Sequence, residues 1–101
     1  MQSRIEGYWR APYAMDLPMP VTDVDWPERP HFLTLLDEAE EAAHEHHTKG
    51  MSKCRVCGDL NGSVEYELGG WRWPEGLRHY LSDHGVRPTH DFEAFILGRS
   101  R

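Results

Sequence analysis

A chain of 101 residues has room for one domain and a modest hydrophobic core. Its net charge of −6 argues against tight, non-specific nucleic-acid binding, which rests on neutralising phosphates. Trp9, Trp26, Trp71 and Trp73, with the other aromatics, exclude a compositionally disordered chain.

The charge is unevenly spread. Residues 1–48 hold three Arg against ten acidic residues, whereas residues 49–101 hold eight Lys and Arg against seven. The second half therefore leaves room for a weaker, local nucleic-acid contact. The two cysteines, Cys54 and Cys57, are too close in sequence for an unstrained, useful disulfide, which favours metal binding in a reducing compartment. No apolar run is long enough to span a membrane, and the first residues lack a signal-peptide stretch. The expectation is a soluble, cytoplasmic protein.

Residues 1–30 read as an extended arm. Five prolines between residues 5 and 30 exclude a long helix. Tyr8, Trp9, Tyr13, Leu17, Met19, Val21 and Trp26 are too apolar for a plain linker, so the arm should lie across its own domain or a neighbouring subunit. Residues 31–48 read as an amphipathic acidic helix with Pro30 in its first turn. Phe32, Leu35, Leu36, Ala39, Ala43 and His46 form its apolar stripe, opposite Glu38, Glu40, Glu41 and Glu45. On such a helix Glu41, His44 and His47 share a face, which raises a second metal site. Solvated histidines at a helix end are the plainer reading, and His46 belongs to the same His-rich group.

Residues 51–101 read as a metal module with a short C-terminal helix. Cys54-Arg-Val-Cys57-Gly58 has the form of a metal knuckle, Gly58 being free to take positive φ. Val64–Leu68 and Trp71–Trp73 alternate around Gly69-Gly70, a hairpin pattern. Pro74 opens a helix over 75–84, with Leu77, Tyr80 and Leu81 on its apolar face and Gly85 as its stop. Phe92, Phe95 and Ile96 predict a last helix capped near Thr89.

Cys54, Cys57, His79 and His84 supply two thiolates and two imidazoles, the ligand set of a tetrahedral zinc ion, Zn2+. His79 and His84 are five positions apart, so the last turn must loosen to aim His84 inward. His90 is a spare donor. A reduced thiol pair in a turn, or a redox dithiol, are the alternatives; no thioredoxin-like strand–helix pattern surrounds the pair.

The order knuckle, hairpin, helix over residues 54–84 resembles a Cys2His2 zinc finger. The resemblance covers roughly a third of the chain. It departs in the linker, where 21 residues separate Cys57 from His79 against about 12 in DNA-reading fingers. Residues 61–66, 73–80 and 84–88 are also similar to small, uncharacterised bacterial proteins, which implies a family but no activity. The expected fold is α+β: a small zinc-stabilised ββα finger packed with the amphipathic helix and the Pro-rich arm.

Four candidate ligands favour a closed, structural site over a catalytic one that keeps a position for water. His-Glu-x-x-His and deaminase patterns are absent, and Ser63 lacks a nucleophile-elbow context, so no enzyme activity is expected. If the finger resemblance holds, Arg72, Glu75 and Arg78 take the base-reading positions of a helix over 72–84. A single finger, Pro74 on the reading face and the acidic first half weigh against that use. The leading expectation is a zinc-stabilised interaction or adaptor domain that binds a protein partner or itself.

Overall fold

The computed structural model describes residues 4–10 and 15–99, together with the backbone but not the side chain of Lys49. Tyr13 therefore lies outside the described residues. In chain order the elements are β1 (Arg4–Ile5), β2 (Val21–Thr22), α1 (Arg29–Ala42), β3 (His44–Lys53), β4 (Leu60–Leu68), β5 (Trp71–Pro74), α2 (Leu77–Asp83), β6 (Val86–Arg87) and α3 (His90–Gly98). The fold is α+β, with a four-stranded sheet in the order β1-β5-β4-β3 and a two-stranded sheet of β2 and β6. The first is mixed, because β1 runs parallel to β5 while β5, β4 and β3 alternate in direction.

Helix α1 forms where Phe32, Leu35, Leu36 and Ala39 recur at three- and four-residue steps, and all four are buried. The helix expected over 31–48 nevertheless stops at Ala42. Ala43 turns extended at φ −78° and ψ 155°, and the His-rich segment becomes β3. Residues 44–50 include no large apolar side chain to hold a helix on the core. The backbone of His44–His47 instead pairs with Val64–Glu67, which satisfies its donors and acceptors across strands.

The expected hairpin over 64–73 is present as β4 and β5. Gly69 and Gly70 turn it at φ +58° and +84°, the two positive values a tight two-residue turn needs. Tyr66 pairs with Trp73 and Leu68 with Trp71, which puts both tryptophans on the core face of the sheet. Above them lie Phe32 of α1 and Phe92 of α3. Phe92 is the hub, with ring centroids 5.1 Å from Trp71, 5.3 Å from Trp73 and 6.3 Å from Phe32. Trp73 is fully buried, and its indole N–H donates to Glu40 at 3.0 Å. Thr89 caps α3 by accepting the Phe92 N–H at 3.4 Å, as its position before the apolar run suggests.

The described parts of the arm lie across the chain's own domain. Trp9 and Trp26 are buried, and Glu6, also buried, accepts the backbone N–H of Thr89 at 2.8 Å and its hydroxyl at 2.7 Å. The Tyr8 hydroxyl donates to Glu65. Burial raises the Glu6 carboxyl despite those two bonds. Met15, Met19, Val21 and Val24, by contrast, remain exposed.

Over 54–84 the knuckle is followed by the β4–β5 hairpin and then by α2, the expected order, with one addition. The knuckle is itself the turn between β3 and β4, and β5 is inserted between that hairpin and α2. The 21 residues between Cys57 and His79 thus hold both strands of the β4–β5 hairpin, β4 starting already at Leu60, and the start of α2.

Candidate metal centre

The knuckle is built from backbone. The Cys54 N–H donates to the Asp59 carbonyl at 2.8 Å, and the Gly58 N–H returns to the Cys54 carbonyl at 2.9 Å. Gly58 sits at φ +80°, a conformation that L side chains rarely adopt, which is why glycine follows the second cysteine. The Val56 N–H points at the Cys54 sulfur, 3.4 Å away. Cys54 is buried and Cys57 exposed.

Opposite the knuckle, α2 carries His79 within its length and His84 at its C-cap. His84 leaves helical geometry at φ −119° and ψ 10°, and Gly85 follows at φ +65°. This is the loosening that a five-residue histidine spacing requires. Arg29 braces the same turn: its guanidinium donates to the carbonyls of Leu81 at 2.6 Å, Val86 at 2.9 Å and Gly85 at 3.2 Å, and to that of Asp23.

These elements bring Cys54, Cys57, His79 and His84 together, with one ligand atom of each lying within 4.8 Å of all the others. Cys57 Sγ is 3.4 Å from His79 Nε2, which is 3.2 Å from His84 Nε2, and the two imidazole planes stand at 83°. A tetrahedron with metal–ligand bonds of roughly 2.0–2.3 Å has edges of about 3.3–3.8 Å, so both separations are close to edge lengths. Two Nε2 atoms aimed at each other in crossed rings is an arrangement that a shared cation explains. The four residues fit a metal ion.

Two neighbours tune the donors. The Asp83 carboxylate lies 3.3 Å from His79 Nδ1, the far side of the ring from the cluster, and so fixes which nitrogen faces a metal. The Ser82 hydroxyl, then His79 and His84, hold that carboxyl below its usual range. The Tyr80 hydroxyl accepts the Arg55 N–H at 2.6 Å and bonds the Cys54 sulfur. Burial works to raise the Cys54 thiol, but hydrogen bonds from the Cys57 and Val56 backbone and from Tyr80 bring it below its ordinary value. Asp83 was legible as the residue four past His79. Tyr80 read only as an apolar-face residue, and nothing in the sequence marked Arg29.

The other candidates are placed elsewhere. On β3, alternation separates His47 from His44 and His46, so the helical grouping of Glu41, His44 and His47 does not form. His46 bonds Glu67 at 2.7 Å and His47 pairs with Glu45 at 3.3 Å. His90 begins α3 and is exposed, and among the described residues the only cluster of metal donors is the Cys2His2 group. Arg72, Glu75 and Arg78 do not share a helix face: Arg72 is on β5, Glu75 precedes α2 and only Arg78 is helical. Arg72 pairs with Glu67 at 3.3 Å, Arg78 with Asp37 at 2.7 Å, and Glu75 accepts the Ser63 N–H at 2.9 Å.

No protein-family model matches the chain, and neither a curated protein nor a solved structure is significantly similar to it. No helix among the described residues is long and apolar enough to cross a membrane.

Proposed function

We propose that the Cys54–Cys57–His79–His84 cluster is a structural zinc site, and that the chain is a zinc-stabilised interaction domain without catalytic activity. The convergence of two sulfurs and two imidazole nitrogens within 4.8 Å carries this reading. An S2N2 donor set in tetrahedral disposition suits zinc, and four protein ligands leave no coordination position for a reacting water. Zinc here ties the knuckle, of which Cys54 is the one buried residue, to α2.

The interaction role rests on the arm. Met15, Met19, Val21 and Val24 are exposed apolar side chains in a stretch that also carries Asp16, Asp23 and Asp25. A protein partner with an apolar, basic surface, or a second copy of the chain, is the occupant this surface favours. The ion pairs of Arg72 and Arg78 favour a protein partner over nucleic acid, since those charges are already neutralised within the fold.

Elemental analysis of the purified protein tests the site. One zinc per chain is expected, lost in Cys54→Ser and in His79→Ala; retention of full zinc in both variants sinks the reading. Sedimentation of the wild type beside Met19→Ser and Val21→Ser separates self-association from a monomer awaiting another protein. Saturable, salt-dependent binding to nucleic-acid pools, lost in Arg72→Ala and Arg78→Ala, would instead favour the nucleic-acid reading.

A further inference from the structure

Among the described residues eight large apolar side chains are exposed, and seven of them fall in two places. Four are on the arm, between Met15 and Val24. The other three, Met51, Val56 and Leu60, surround the tip of the β3–β4 hairpin. Single exposed apolar residues are ordinary, but groups of them among charged residues mark interaction surfaces.

The two surfaces carry opposite charge. Residues 15–28 hold four acidic residues and no basic one, whereas residues 49–60 hold three basic residues against one acidic. Much of this charge is unpaired within the fold. Asp23 pairs with Arg87, but Asp16, Asp25 and Glu28 are exposed and make no ion pair among the described residues. Lys53 at the tip is likewise exposed and makes none. The surfaces are also neighbours. Leu17 of the arm and Lys53 and Arg55 of the tip line one cavity of about 230 Å³. Trp9 lines it too, and extends to the hollow formed by Pro18, Met19 and Val21.

We propose that the chain forms a two-fold dimer in which the acidic arm of each copy covers the basic hairpin tip of the other. The proposal rests on the reading of the chain as an interaction domain and names a second copy as its partner. A two-fold interface brings the same patch of both copies together, so a patch with one acidic and one basic half is complementary to itself. A foreign partner with a basic surface would cover the arm and leave the apolar residues of the tip bare. The tip is also the part that the proposed zinc orders, so dimerisation should depend on the metal.

The test is analytical ultracentrifugation of the zinc-replete, full-length chain over a concentration series at low and high salt. A monomer–dimer equilibrium weakened by salt is expected. Asp16→Lys and Lys53→Glu each set like charge against like at both contacts, and each should weaken dimerisation at least about tenfold. Mixed in equal amounts, the two variants should dimerise again, because both contacts of the mixed pair then join opposite charges. Both side chains are exposed, and zinc measured on each variant shows whether the knuckle is intact. A zinc-bound wild type that stays monomeric at millimolar concentration, a dimer indifferent to both reversals, or a mixture that does not recover overturns the proposal and leaves the interaction surface to another protein. Chelation should dissociate the dimer. A dimer that survives chelation and still responds to both reversals upholds this interface and counts instead against zinc as what orders the tip.

Discussion

The tip of the β3–β4 hairpin and the aromatic layer under β5 are held by different forces. Every residue from Met51 to Leu60 is exposed except Cys54, and Val56 and Leu60 are 58% and 63% exposed. Around β5, by contrast, Trp71, Trp73, Phe32, Leu36, Phe92 and Ile96 are at most 7% exposed. One region has almost no apolar burial to oppose its conformational entropy, and the other has nearly all of it. A metal ion held by the Cys2His2 cluster would order the tip and would be superfluous in the core. A core that folds by burial thus stands against a ten-residue tip whose order, on the proposed reading, comes from its ligands.

Removing the ligands is the sharpest way to break this division. Cys54→Ser with His79→Ala should abolish stoichiometric zinc binding and free the amides of residues 51–60 to exchange, while those of β5 and α3 stay protected. Hydrogen exchange followed residue by residue reads both regions at once. Loss of protection throughout the chain would mean that the core depends on the metal too.

The converse is Trp73→Ala, which empties the centre of the aromatic layer and strands the Glu40 carboxylate. A cost of about 3–5 kcal/mol is expected in denaturant unfolding. The effect should be the same with and without a chelator if the two regions are independent.

Asp83→Asn acts at the metal end only. Losing the carboxylate that orients His79 should weaken zinc about 10–100-fold in competition with a chromophoric chelator, with the core amides unmoved.

The smallest effect belongs to Glu40, in the core half. Burial, offset in part by the Trp73 N–H, raises its pKa from 4.5 to about 7. A carboxyl raised in the folded state takes up a proton on folding. Its contribution is fully present below the unfolded value of 4.5 and is lost as pH rises through about 7. Glu40→Gln keeps an acceptor for the indole and removes the charge. It should be more stable than wild type at pH 8.5 by about 1–2 kcal/mol, and the gap should narrow as pH falls below 7 and close near 4.5. A constant difference across that range would place the burial cost elsewhere.

The buried face of α1, the glycine-turned hairpin, the capped α3 and the four metal donors could all be read from the chain. Each is local: a period, a turn residue, a cap or a ligand spacing carries its own signal. The helix-to-strand change at Ala43 could not be read this way. His44-Glu45-His46-His47 extends the stripe of α1 as well as it alternates along β3, and only pairing with Val64–Glu67 decides between them. The second layer of the metal cluster was hidden for the same reason, because Tyr80 and Arg29 reach Cys54 and the His84 turn across long stretches of sequence.

The sequence alone determined which atoms can meet a metal, since donor chemistry and short spacings are properties of the residues themselves. Tertiary structure decided how they meet, on a hairpin turn and a helix end with two strands between them. Backbone pairing and burial depend on partners that no local pattern names.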